Sequence, residues 1–237
     1  MIKARHVGAA LTIGVLGSGS ALAGELTANA GITNNYVWRG LTQTLNDAAI
    51  SGGIDFAADN GFYIGTWVSN VKFADSDAYS FEHDVYFGYS GGDDVTWDVG
   101  YLYYNYDEAV KSDFGEIYGS IGVGGFSFGL NFTTNTEPSE PAGRDYGIGQ
   151  SYYASVGYSF EIMEGLELGL HAGYHAGDWT EDFNGVPDSY TDYNVSLTKS
   201  GVTFMIADTD LPSPAGGSDA YGNDEVRFVI SYTHEFD

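Results

Sequence analysis

The stretch EVRFVISYTHEF, Glu225–Phe236, decides the fold. Its even positions, Val226, Phe228, Ile230, Tyr232, His234 and Phe236, are apolar or aromatic, whereas Glu225, Arg227, Val229, Ser231, Thr233 and Glu235 are mostly polar. A period of two marks a strand with one face in an apolar medium and the other in water. If the apolar medium is lipid, such a strand must find a partner on both sides. An open edge in hydrocarbon leaves backbone groups unpaired at several kcal/mol each, so pairing with a first strand near 25–38 is expected.

The same alternation recurs along the chain. VTWDVGYLYY sets Val95, Trp97, Val99, Tyr101 and Tyr103 against Thr96, Asp98 and Gly100. FEHDVYFGY, GEIYGSIGV and LELGLHAGYH repeat the pattern, with Leu166, Leu168, Leu170, Ala172 and Tyr174 on the apolar side of the last. GFYIGTWVSN, 61–70, reads as apolar in either phase. Between the strands, short turns at 58–61, 90–94, 123–125, 161–165 and 199–201 alternate with longer polar stretches at about 39–47, 73–80, 107–113, 134–150, 176–189 and 209–224. Five turns and six loops separate twelve strands, with both chain ends on the short-turn side. An even strand count, tight turns at one end, long loops at the other and dyad alternation describe an all-β, up-and-down antiparallel transmembrane barrel rather than a soluble sandwich.

Composition agrees. Tyr 19, Phe 14 and Gly 34 favour strands and tight turns. There is no cysteine, hence no disulfide or thiolate metal site. A net charge of −25 repels nucleic acid. Residues 1–23, with Lys3 and Arg5 ahead of an apolar run ending in Ala21-Leu22-Ala23, read as a secretory signal peptide, leaving 24–237 as the barrel. Export places the mature chain among outer-membrane lipids and lipopolysaccharide, after handling by the outer-membrane assembly machinery.

Residues 34–71 carry Trp38-Arg39-Gly40, Thr42-Gln43-Thr44, Gly52-Gly53 with Asp55, and Gly61-Phe62-Tyr63 with Gly65, Trp67, Ser69 and Asn70, followed by an acidic strand from Glu82 to Tyr89. This run resembles the opening of the TorF-type porin family of proteobacterial outer-membrane proteins, and the likeness covers 26–133. The resemblance implies an outer-membrane barrel passing small solutes.

Opposite the apolar face, the strand phases collect Asp55, Glu82, Asp84, Asp98, Glu116, Glu167, His171, His175, Asp192 and Arg227 as pore-lining candidates. So many carboxylates against one fixed cation imply an electronegative interior that favours cations, unless they only satisfy tyrosine hydroxyls in a filled barrel. Arg39, at the outer end of the first strand, either pairs with an acid across the lumen and narrows the mouth or reaches lipopolysaccharide phosphate at the rim. His171 and His175, four apart on a strand, lie about 13 Å from each other, too far to chelate one metal. No metal site or cofactor is expected. The acidic loops DSD (75–77), DEAVKSD (107–113) and DWTED (178–182) lack the spacing of an EF-hand and read as a solvated outer surface. Without a Gly-x-Ser-x-Gly elbow no enzyme is expected. The expected function is a porin-like channel for small hydrophilic solutes, cation-preferring. The alternatives are a non-conducting structural or adhesion barrel acting through its outer loops, and a transporter of small hydrophobic molecules.

Overall fold

The computed structural model describes residues 24–74, 78–107, 110–213 and 221–236. The expected signal peptide and the DSD loop lie outside the described residues. Twelve strands close into one antiparallel barrel. They are β1 (Gly24–Thr33), β4 (Ala49–Ala58), β5 (Phe62–Asn70), β6 (Phe81–Gly91), β7 (Val95–Tyr106) and β8 (Phe114–Val123), then β9 (Phe126–Thr136), β10 (Tyr152–Met163), β11 (Leu166–Ala176), β12 (Ser189–Lys199), β13 (Val202–Thr209) and β14 (Arg227–Phe236). Among the described residues a separate hairpin, β2 (Val37–Trp38) with β3 (Leu41–Thr42), and one helix, α1 (Asp178–Asn184), lie in the long loops.

Each barrel strand pairs with its neighbours in sequence, and β14 returns to β1, with Ala28 opposite Phe236 and Thr33 opposite Ser231. That closure removes both edges. The five short turns each hold a glycine at positive φ. At Gly92, φ is 99° and a Cβ would sit 2.0 Å from the Val95 carbonyl oxygen, so no other residue turns the chain there without strain.

The outer surface is an apolar belt. Ile54, Ile64, Val85, Phe87, Ile117, Ile121, Phe128, Leu130, Val195, Phe204, Phe228 and Ile230 are all exposed. A contiguous band of this kind belongs in lipid, because water-soluble monomers rarely leave such a surface uncovered. In β5, Ile64 and Val68 face out, whereas Tyr63 is 3% and Ser69 2% exposed on the inside, which settles the phase of that strand.

The first strand is shorter than expected. It ends at Thr33, and Val37–Trp38 belong instead to the inturned hairpin. Arg39 is therefore at the tip of a loop and not on the barrel wall.

Candidate functional site

The interior is built from tyrosines lying over glycines. A Cβ at Gly65, Gly88, Gly100 or Gly173 would fall within 2.6 Å of the ring or hydroxyl of Tyr86, Tyr63, Tyr118 or Tyr153. The missing side chains leave room for these rings to lie flat inside a barrel of modest bore. Their hydroxyls end on carboxylates. Tyr86 donates to Asp55, Tyr63 to Asp98 at 2.5 Å, and Tyr153 to Asp192 at 3.0 Å. Tyr36 and Tyr106 both donate to Glu82, at 2.8 and 2.7 Å, and Tyr104 donates to Glu116 at 3.3 Å.

Into this lining the first long loop folds inward. Trp38 and Leu41 pair across a two-residue turn in which Arg39 has φ 48° and Gly40 φ 80°. Positive φ at both central residues is the type I′ geometry that suits a tight hairpin. The Arg39 guanidinium, 6% exposed, makes a two-pronged contact with Glu116, Nη1 to Oε1 at 2.9 Å and Nη2 to Oε2 at 2.6 Å. The rings of Trp38 and Tyr153 lie over it at 4.2 and 4.5 Å. Of the two roles open to Arg39, pairing across the lumen is the one adopted. A bulge between Gly115 and Glu116 leaves Thr134 outside the ladder, and its hydroxyl donates to the Gly115 carbonyl at 3.0 Å. Bulges of this kind re-aim the adjacent side chain.

Nη1 of Arg39 also lies 3.2 Å from His175 Nε2. A guanidinium only donates, so Nε2 accepts and the imidazole is neutral with its proton on Nδ1. Nδ1 then donates to the Tyr190 hydroxyl at 3.2 Å, and Tyr190 donates back to the Arg39 carbonyl at 2.9 Å. Arg227 clasps the other side of the turn, donating to the Gly40 carbonyl at 2.8 Å and to Asn223 Oδ1 at 2.5 Å. Gly40 itself is wedged so closely that a Cβ would lie 2.6 Å from Asp192 Cβ and 2.7 Å from Thr209 Cγ2. One hairpin tip thus touches strands β8, β10, β11, β12, β13 and β14. A cavity of about 20 Å³, room for roughly one water, remains beside Arg39, Tyr153, His171 and Asp192.

Above the hairpin sits an aromatic cap of Trp38, Tyr104, Tyr106, Phe114, Tyr146 and Trp179, with Phe183 against it. Helix α1 supplies Trp179 and Phe183, so the DWTED segment is not simply solvated acid. Arg144 binds Asp178, Glu181 and Asp182 at 3.4, 2.5 and 2.9 Å, tying the helix to the loop before β10. The Arg144 hydrogen bond holds the Glu181 carboxyl below its ordinary range.

Asp55, Glu82, Asp84, Asp98, Glu116, Glu167, His171, His175, Asp192 and Arg227 all stand at inward positions of their strands. His171 pairs with Asp192 at 3.3 Å, and His175 serves the hairpin, so the two histidines do not share a ligand. Among the described residues no three His, Asp or Glu side chains converge to hold a metal ion. The hairpin and helix left little trace in the sequence. Arg-Gly is not among the dipeptides that usually mark a type I′ turn, and the seven residues of α1 are too few to show a period.

A family model described as "Bacterial protein of unknown function (Gcw_chp)" matches residues 18–234. No curated protein matches the chain. Among solved structures, the KdgM porin in complex with disordered oligogalacturonate is similar at a TM-score of 0.53 and 10% identity, over 90% of this chain and 99% of that one. A second KdgM porin structure gives 0.53 at 9% identity over the same shares. The NanC porin in a rhombohedral crystal form gives 0.49 at 11%, over 90% of this chain and 100% of that one. At such identities the likeness to the KdgM porin is one of fold alone: a closed antiparallel barrel.

Proposed function

The chain belongs to the Gcw_chp family of bacterial proteins, and on that footing we propose that its barrel is a porin-like outer-membrane channel for small solutes, gated by its own first loop and preferring cations. The TorF-type label suggested by Trp38-Arg39-Gly40 and the motifs that follow is part of the same proposal, as are contacts with lipopolysaccharide and the assembly machinery. The observation that carries the reading is the hairpin tip, held inside the lumen by side chains rather than by continuous strand pairing. Such a plug can leave without unzipping the wall. The inward carboxylates outnumber the inward cations, and this supports a preference opposite to that of a lumen built for a polyanion such as oligogalacturonate.

The test is planar-bilayer recording on refolded protein under a salt gradient. Brief, small openings are expected, with a reversal potential on the cation side. Asp98→Asn with Glu167→Gln, both outside the hairpin's grip, moves that potential toward zero. An unchanged reversal potential removes the acidic lumen as the cause of selectivity. The packed interior favours the alternative of a non-conducting barrel working through its loops, and complete electrical silence with Arg39 replaced would decide for it.

A further inference from the structure

Five inward carboxylates, Asp55, Glu82, Asp98, Glu116 and Asp192, each receive at least one tyrosine hydroxyl. Asp84 does not. It is 2% exposed, and its Oδ1 has no hydrogen-bond partner. Two residues along the same strand lies Glu82, and in the next layer lies Glu116, so three carboxylates share a dry region with the single guanidinium of Arg39. A buried charge without a partner is strongly disfavoured, and this one calls for a cation or a proton.

The surroundings say which. In the barrel register Asp84 stands between Trp67 on β5 and Tyr104 on β7, directly opposite each. Cross-strand neighbours of this kind have Cβ atoms about 5 Å apart, within reach of aromatic rings. A carboxylate flanked by an indole and a phenol is the donor set that already holds Arg39, where Glu116 supplies the charge and Trp38 and Tyr153 supply the faces. The same residue types therefore meet twice in one lumen, once on the protein's own guanidinium and once around Asp84. There Tyr104 is stacked on Phe114 with one face, gives its hydroxyl to Glu116 and has its other face left for Asp84's side. Trp67 is half-buried and edge-on to Tyr36 at 5.4 Å, whereas Asp84 and Tyr104 are buried, so a ligand enters past the Trp67 side. A chelated metal is a poor fit, since no three suitable side chains converge. A planar or compact organic cation fits, because one charged hydrogen bond and two ring faces are what it needs.

We infer that Asp84, with Trp67 and Tyr104, is a binding site for the guanidinium or ammonium group of a small organic cation. This names the solute class of the proposed channel and rests on that reading, but binding at equilibrium is measurable without conduction.

The probe is methylguanidinium, titrated onto refolded barrel in detergent and followed by ligand-observed NMR, with methylurea as the neutral isostere. Saturable binding of methylguanidinium and none of methylurea is expected. Asp84→Asn is expected to weaken binding by about tenfold, the loss of one charge-assisted contact. Glu164→Gln, an exposed carboxylate in the short turn between β10 and β11, stays within about twofold on the same scale. Trp67→Leu provides an independent variant on a half-buried position and should weaken binding several-fold. Each variant is first checked for the heat-modifiable gel migration of a folded barrel. No saturable binding to the wild-type chain overturns the inference and leaves a proton on Asp84. Unchanged affinity in both Asp84→Asn and Trp67→Leu overturns it equally. Binding with electrically silent bilayers leaves the site standing and removes the channel, whereas currents without binding do the reverse.

Discussion

Along β14 the inward side chains divide the lumen in two. Arg227 and Val229, toward the long loops, are 6% and 5% exposed, whereas Ser231 is half-buried and Thr233 and Glu235 are exposed. Strands β7 and β8 repeat the gradient. Tyr104, Tyr106 and Phe114 are buried at the outer end of β7 and β8, while Thr96 and Ser120 near the short turns are only half-buried. The lumen is therefore more open toward the short turns along β7, β8 and β14, is filled by Tyr63 at that end of β5, and is stopped at the long-loop end by a hairpin and an aromatic cap. The wall is continuous through both halves, so what differs is the contents. Toward the short turns Thr233 and Glu235 are open to solvent, while Asp55 and Asp98 are held by Tyr86 and Tyr63. In the outer half the first loop brings Arg39 to Glu116 and Tyr36 to Glu82, the wall brings Tyr153 to Asp192, and Asp84 Oδ1 is left without a partner.

That contrast can be broken at its strongest point. Arg39→Ala leaves Glu116 with only the Tyr104 and Asn131 donors, at 3.3 and 3.1 Å, in place of a two-pronged ion pair. Removing one partner of a buried pair costs about 3–5 kcal/mol. The hairpin should leave, single-channel conductance should rise several-fold, and the urea midpoint of the outer half should fall. Conductance equal to the wild type would mean that something other than the hairpin closes this end.

The wall itself offers the next largest effect. Ile121 is 51% exposed on the lipid face, and its neighbour Ser120 points into the wet half. Ile117→Arg, on the same lipid face midway along β8, should lower folding stability in vesicles by about 2–4 kcal/mol. Ser120→Arg should leave that stability near its starting value while shifting reversal potential away from cations. Equal losses for the two variants would refute the inside-outside assignment.

A sharper probe of the plug is Gly40→Ala. The residue has φ 80°, and its new Cβ would press on Asp192 and Thr209. Strain of that kind costs about 1–3 kcal/mol, so the turn should withdraw part of the time. Longer open dwell times with an unchanged unit conductance are the expected record.

The two halves also differ in how well the sequence announces them. The wall is written in period two, and Val95-Trp97-Val99 or Phe228-Ile230-Tyr232 can be placed against lipid from local pattern alone, because lipid contact is imposed on every second residue. The carboxylates on the opposite face follow from the same phase. Arg39 could be placed near the mouth but not at the tip of a turn, since what draws the loop inward is Glu116, His175, Tyr190 and Arg227, scattered over more than a hundred residues. Tyr36 and Trp38, which read as an extension of the first strand, belong to the plug for that reason. Helix α1 is hidden similarly: Trp179 and Phe183 look like loop aromatics until Phe114 and Tyr146 are seen to meet them.

Trp179 gives the finest discrimination between packing and polarity in the cap. It is 5% exposed, edge-on to Tyr146 at 5.2 Å, and its Nε1 has no acceptor. A buried donor left unmade is worth about 1–3 kcal/mol against the folded state, and the ring area that Trp179→Phe gives up is of similar worth. The two should nearly cancel, so the variant is expected to match the wild type in urea midpoint and conductance to within about 1 kcal/mol. Trp179→Ala removes the ring without replacing it and should loosen α1 from Phe114, with the cap opening before the hairpin does. Were the Phe variant to behave like the Ala variant, the indole N–H would have to be holding a partner, and the cap would be a polar lid rather than an apolar one.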